Sequence, residues 1–520
     1  MKGFVQRHGR EILGVLSGFD RMRFRGSFTP LTTAGGLLAW LWKAGVLLKD
    51  FKAFAEDFTH QIRQATEAGA IAAGRPVRYL NGFVDKEALV RRIRAEEGLA
   101  AGGLIAVLSA LEGCWSYAVY RNRDTHRIDL RRRRGRCLHY YFYWMDERFG
   151  LTQVRLQTWF PFHVHVLLNG REWLATELDR TGIGYVRRDN CFADIEDFAR
   201  AQKLADRQPR IAWPKQLDRL LRRAHPLRRR LSKIGPVALY WTSEQTEWAT
   251  DLAFRTAKRL GQLYDTLLHR GIESFGSADV LRFLGHKLQA RGGIPGKFTG
   301  EVVSDLKRRP QGLRIKHRVR RNTLKMYDKQ GTVLRVETTL NDPRGLEVYR
   351  HKQGEPQSAP LQWRPLRKVV ADLARRAQLS QASNERYLEA LAAIDVDTPL
   401  KQLTDKLCRP VWRGERRHRA LRPFDPDEAR LLEIISRGEN QIAGFRNREV
   451  REAFYGPCKD IDTRRRQSAA VSRKFALLRA HGLIKKVPRT HRYLLTQRGA
   501  AVVPALLAAR NASPAQLTAA

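Results

Sequence analysis

Apolar positions along the chain switch between two spacings. In EILGVLSGFDRMRFRGSF, Met22 and Phe24 alternate with arginines, which predicts a strand, a turn at Gly18 and a second strand. LKDFKAFAEDFTHQIRQATEAGAIAAG reads as a helix, RPVRYLNG as a strand and KEALVRRIRAEEG as a helix. GLIAVLSALEG predicts a buried strand. WSYAVYRNRDTHRIDLRRRRGRCLHYYFYWMD predicts antiparallel strands joined at residues 122–124, with the basic run at residues 131–136 interrupting the sheet. The strand pair LTQVRLQTW and FHVHVLLNG leads into the helix REWLATELDRTG. Strands alternating with helices predict a mixed sheet flanked by helices.

Further on, KQLDRLLRRAHPLRRRLSK is an amphipathic basic helix with Leu217, Leu220, Leu221 and Leu227 along one side. GLRIKHRVRRNTLKMYDKQGTVLRVETTLN predicts an antiparallel β unit, and PLRKVVADLARRAQ and NERYLEALAAI predict helices. The expected fold class is α/β (α+β), multidomain, with mixed sheets flanked by helices. The expected divisions are an N-terminal α/β domain over 1–190, a central α+β domain over 191–408 and an Arg- and Pro-rich linker over 409–424. A helical terminal module over 425–509 and a short tail over 510–520 follow.

Composition narrows the partner. The 520 residues hold 96 Lys plus Arg against 53 Asp plus Glu, a formal charge of +43. That excess costs self-repulsion, and a polyanion relieves it. With 43% hydrophobic residues the chain has material for folded cores. Five cysteines (Cys114, Cys137, Cys191, Cys408, Cys458) are widely spaced without a CxxC, which predicts a reducing, cytoplasmic setting and neither a disulfide framework nor a zinc ribbon. The apolar run GGLLAWLWKAGVLL is short and broken by Lys43, so it predicts a buried helix and no membrane partner. Walker, GxGxxG, HExxH and nucleophile-elbow motifs are absent.

The last hundred residues give the most specific pattern: helix (DPDEARLLEIISRG), helix (FRNREVREAFYG), a longer basic helix (DIDTRRRQSAAVSRKFALLRAHG) and a two-stranded wing (LIKKVPRTHRYLLTQRG). Arg464, Arg465, Arg466, Arg473, Lys474 and Arg479 punctuate the long helix, above an apolar side of Phe475, Leu477 and Leu478. Lys485, Lys486, Arg489, His491 and Arg492 populate the wing, with Pro488 near its tip. The string LLRAHGLIKKVPRTHRYLLTQRG resembles the MarR-like winged helices of bacterial regulators. That resemblance implies a recognition helix and wing docked on double-stranded DNA. The alternative is a winged helix used for protein or RNA contacts.

Three further constellations are candidates for chemistry. If the hairpin in LKMYDKQGTVLRVETTL closes at Gln330 and Gly331, Asp328 pairs with Val333 and shares one face with Arg335 and Glu337. The same string, with Tyr327, resembles filamentous-phage and plasmid replication initiators, which nick and rejoin DNA; a salt-bridged sheet face is the alternative. His163 and His165, two apart in a strand, have the spacing by which HUH nickases hold a divalent metal for attack by a tyrosine, here Tyr327, Tyr140, Tyr141 or Tyr143. A packed strand pair is the alternative. Asp20 and Glu112, with Asp146 as a third, sit where ribonuclease-H-like nucleases carry carboxylates for Mg2+ or Mn2+; turn and cap roles are the alternative. Arg131, Arg132, Arg133 and Arg134, interleaved with Tyr140, Tyr141, Tyr143, Trp144, Arg155 and Trp159, suggest a nucleic-acid surface or the core of a twisted sheet.

As a whole the chain also resembles a widespread set of bacterial proteins of about this length, which carries no activity with it. The expected function is nucleic-acid binding, DNA through the terminal module, with metal-dependent nuclease or nickase activity in replication or a mobile element. A non-catalytic regulator, or a scaffold on structured RNA, is the second reading.

Overall fold

The computed structural model describes residues 1–97, 102–124, 126–289, 294, 298–309, 312–352, 354, 356, 358–392, 400–405, 407–436, 444–458, 460–487 and 490–512. The chain begins α1 (Lys2–His8), β1 (Ile12–Thr29), α2 (Ala34–Lys43), α3 (Phe51–Ala72), β2 (Arg78–Tyr79), α4 (Lys86–Glu97), β3 (Leu104–Arg121), β4 (Ile128–Asp146), β5 (Gly150–Gln157) and β6 (Val164–Asn169). It continues α5 (Gly170–Arg180), β7 (Tyr185–Arg188), β8 (Cys191–Ile195), α6 (Phe198–Ala205), α7 (Trp213–Ala224), α8 (Arg228–Ile234), β9 (Ala238–Phe254), α9 (Ala257–Glu273) and α10 (Ser277–Phe283). Strands β10 (Val302–Arg309), β11 (Gly312–Val319), β12 (Asn322–Lys329), β13 (Val333–Leu340), β14 (Glu347–Arg350) and β15 (Gln362–Pro365) precede α11 (Leu373–Ala392) and α12 (Leu400–Asp405). The end comprises β16 (Val411–Arg413), β17 (Arg416–His418), α13 (Pro426–Ser436), β18 (Phe445–Arg446), α14 (Asn447–Tyr455), α15 (Ile461–Ala480), β19 (Ile484–Lys486), β20 (Arg492–Leu495) and α16 (Gln497–Asn511). Mixed sheets with helices put the chain in the expected α/β class.

The chain forms two compact units: Gly14–Asp251 with Thr339–Gln381, and Met1–Leu13 with Leu252–Thr338 and Ala382–Ala520. They cut across the divisions expected at residues 190, 408 and 424, because each core collects segments distant in sequence.

In the first unit the strands run β9-β1-β6-β5-β4-β3-β2. β1 is continuous: Gly18 is buried inside it rather than in a turn, and Met22 and Phe24 point into the core while Arg21 and Arg23 face out. The expected strand-turn-strand therefore merges into one long strand, since the apolar alternation runs on beyond Gly18. The basic run also lies within a strand: Arg131, Arg132, Arg133, Arg134 and Arg136 pair across β4 to β3. Like charges on exposed strand faces are solvated, so they do not break the ladder. At the end of β6, Asn169 caps α5 by accepting from the amides of Arg171 and Glu172. The next residue must be glycine there: a Cβ on Gly170 would lie 2.2 Å from the Phe19 carbonyl oxygen. This close approach fixes α5 against β1. Arg171 on α5 is buried and bonds the Ala249 carbonyl and the Asp251 carboxylate of β9 at 3.1 and 3.0 Å.

In the second unit β10, β11, β12 and β13 follow one another in order. Ile315, His317, Val319, Leu324 and Met326 turn one face inward; Tyr264 of α9 donates to the Leu313 carbonyl at 2.6 Å and the Tyr387 ring of α11 lies 5.4 Å from His317. The terminal residues build a separate core from Leu407, Leu421, Leu431, Leu432, Phe445, Val450, Phe454, Val471, Phe475, Leu478 and Val503. The stretch expected as a linker belongs to it: residues 411–418 form the β16–β17 hairpin, and Leu421 is buried. Among the described residues, no helix is long and apolar enough to cross a membrane.

Candidate functional site

The terminal segment arranges α13, α14 and α15 with a three-stranded antiparallel sheet ordered β18-β20-β19. α15 starts where Asp460 accepts from the Thr463 amide at 2.7 Å and ends before Gly482, whose φ of +70° turns the chain into β19. Val471, Phe475 and Leu478 bury one side of α15, with Phe475 4.6 Å from Tyr493 of β20. Arg464, Arg465, Arg466 and Arg473 are exposed on its other sides, as are Lys485, Lys486 and His491 in the following strands and turn. Lys474 is half-buried instead, 3.6 Å from Asp427 and over the Phe454 ring. Arg479 is half-buried, and Arg492 reaches the Gly444 carbonyl at 3.4 Å. Pro488 and Arg489 lie outside the described residues.

The second basic surface is the distal half of the β3–β4 hairpin. β2 pairs with β3 at Leu108 and Ser109, and β5 pairs with β4 from His139 onward, so farther out the two strands pair with each other. Arg132 and Arg134 lie 4.8 and 5.5 Å from the Trp115 ring, and Arg131 lies 5.0 Å from Tyr120. Among the described residues no carboxylate pairs with Arg131, Arg132, Arg133 or Arg134. The aromatics expected beside them are mostly core: Tyr140, Tyr141, Tyr143 and Trp144 are buried.

The carboxylates are arranged differently from the expected trio. Asp20, 5% exposed in the middle of β1, accepts from Asn190 Nδ2; Asn190 Oδ1 in turn accepts from Asn169, the cap of α5, at 2.8 Å. Glu112 on β3 is elsewhere, bonded to Tyr141 Oη, Arg155 (2.7 Å) and Lys86 (3.3 Å). Burial would raise its pKa, but the Tyr141 hydrogen bond and the two cations hold it below the usual carboxylate range. Asp146 is clamped by Arg219 at 2.9 Å and by the Arg148 and Phe149 amides. Both are satisfied in place. Glu247 of β9 does join Asp20, a carboxylate oxygen of one lying within 4.8 Å of one of the other. Nothing in the local pattern QTEWATD marked Glu247, because only the pairing of β9 beside β1 brings it there. Gln245 donates to Glu247 at 2.6 Å.

His163 precedes β6 and His165 lies in it. His163 Nδ1 is 3.2 Å from Ser27 Oγ. Burial, then Arg25 and Arg132, push its pKa down to about 4; burial, Arg155 and Arg23 depress His165 as well. Neutral imidazoles can ligate a metal, but four guanidiniums around them oppose a dication. Among the described residues no third metal-ligating side chain joins the pair. Tyr327 donates to Glu337 Oε2 at 2.9 Å, and Lys325 binds Glu337 Oε1 at 2.6 Å. The expected Asp328–Arg335–Glu337 face is therefore shifted: residues 330–332 form the loop, one residue more than expected, and a one-residue change exchanges faces. Burial raises the pKa of Tyr140, Tyr141 and Tyr143, which disfavours their phenolates as nucleophiles.

Compared with known proteins, the chain matches no family model, no curated protein and no solved structure.

Proposed function

We propose that the chain is a DNA-binding protein that docks through its terminal segment, with α15 as the helix entering a groove and the β19–β20 turn as a wing beside it. The reading rests on one observation: Arg464, Arg465 and Arg466 are exposed together near the start of a 20-residue helix whose far side is locked by Val471, Phe475 and Leu478. An exposed arginine cluster on a braced helix suits phosphates and groove edges. The unpaired arginines of the β3–β4 hairpin add a second grip on the backbone. The setting is the cytoplasm, in keeping with five free thiols. In fluorescence anisotropy with a labelled duplex, Arg464→Ala/Arg465→Ala/Arg466→Ala lowers the slope of log K against log salt by about 2–3. An unchanged slope contradicts the docking role. Tighter binding to structured RNA than to duplex favours the scaffold reading.

A metal-dependent phosphodiester reaction is the second reading, favoured by the approach of Asp20 to Glu247. Mg2+ or Mn2+ is a hard cation that is commonly held by one or two carboxylates with waters and substrate phosphates, and Asp20 and Glu247 supply two such oxygen donors. A bound dication would polarise a phosphodiester for attack by water. Asp20 and Glu247 would hold the cation, with Asn190 orienting Asp20. Mn2+ titration by calorimetry is expected to show a site that Asp20→Asn/Glu247→Gln abolishes. Equal Mn2+ binding by both proteins removes this reading and leaves DNA binding untouched.

A further inference from the structure

The outward face of β10, β11 and β12 is basic, although no single stretch of sequence marks it. Antiparallel register brings Lys307, Arg314 and Tyr327 into one cross-strand row, and Asp305, Lys316 and Lys325 into the next. Alternation sends their neighbours Ile315, His317, Leu324 and Met326 to the buried face, so the cations have only one side to occupy. At the end of this face a cavity of about 140 Å³ is lined by Arg309, Gly312, Arg314, Lys325, Tyr327 and Lys329. Its cationic lining suits a phosphate group.

The compensation is incomplete. Lys325 is neutralised by Glu337, and Lys307 lies 3.4 Å from Asp305. Arg309, Arg314 and Lys316 have no carboxylate partner among the described residues, and Arg314 Nε is buried without an acceptor. Burial depresses the Lys316 pKa; Asp305 opposes the shift, and Lys325, Arg314 and Arg318 add to it.

We propose that this cavity is a phosphate subsite that takes one phosphodiester of a DNA chain laid across the β10–β12 face, with Arg309 and Arg314 as its donors. A guanidinium without a protein acceptor is completed by phosphate oxygens, and Arg presents its N–H groups in a fork that matches them. Contacts made to phosphate oxygens carry no sequence information, so this subsite positions the chain rather than reading bases. The inference rests on DNA binding in general but not on the terminal helix, so the two can fail separately.

The test uses the full chain and anisotropy at several salt concentrations, with duplex and single-stranded DNA in separate arms. Arg309→Gln/Arg314→Gln is expected to lower affinity several-fold and the salt slope by about 1–2 in at least one arm. Inorganic phosphate, against chloride of equal ionic strength, is expected to reduce binding by the unaltered protein more than by this variant. Arg309→Lys/Arg314→Lys keeps the charges and is expected to keep the slope. If the neutral variant binds with an unaltered slope in both arms while the α15 triple variant loses slope, the subsite is overturned and the terminal reading stands. If the lysine variant loses as much as the glutamine variant, the loss reflects folding and the subsite is likewise overturned. A slope lowered by the sheet variant but not by the α15 variant keeps the subsite and removes the terminal helix.

Discussion

Single residues here show how far burial overrides local chemistry. His225 is 3% exposed, its ring 5.4 Å from Phe28 and 6.0 Å from Phe162, and neither ring nitrogen finds a hydrogen-bond partner. Burial holds its pKa near 4. In the unfolded chain the ring takes up its proton near pH 6.5, whereas the folded ring refuses it until about 4. Stability is thus unaffected above about pH 6.5 and declines as pH falls from there toward about 4. His225→Phe fills the same aromatic slot without a proton to gain. Urea denaturation at pH 7 and pH 5 is expected to show about 2 kcal/mol less acid loss in this variant than in the unaltered protein. An identical loss would show that His225 does not drive the acid sensitivity. The same competition decides His163 and His165: their spacing was legible in the sequence, but the arginines packed beside them were not.

At the scale of elements, periodicity located most of the strands and helices, and it failed where the signal depends on partners. α4, α5, β5, β6 and the β3–β4 hairpin stand where alternation and 3.6-residue spacing predicted them. Gly18 suggested a turn because glycine is common there, yet it sits inside β1 with Ala205 and Arg171 3.6 Å from where its Cβ would be. Arg131, Arg132, Arg133 and Arg134 suggested an interruption because four cations weaken a strand in isolation; stacking on Trp115 and Tyr120 and full solvation leave the ladder intact. The β12–β13 loop of three residues exchanged the face of Asp328 for that of Tyr327. Asp20 was legible as an acid on the first strand. Its neighbour Glu247 was not, since it lies 227 positions further along the chain and only sheet order relates them. The basic β10–β12 face escaped notice for a similar reason: its cations come from three strands and form a cluster only in register.

For the whole molecule the governing quantity is a formal charge of +43, too large to be spread without consequence. Among the described residues, exposed cations gather on α15 and on the outer β3–β4 hairpin, and further cations line the β10–β12 cavity. Among the described acidic residues, Asp146 is engaged with Arg219, Glu112 with Arg155 and Asp251 with Arg171. On the proposed reading, surplus charge gathered in this way would bind a polyanion by releasing its counterions, each neutralised phosphate adding about 0.9 to the salt dependence. The most direct test is therefore the affinity of the unaltered chain for a labelled duplex between low and physiological salt. The account predicts a slope of log K against log salt of about −5 or steeper, as six or more phosphate contacts require. A slope near zero, or no binding to any polynucleotide at physiological salt, contradicts it.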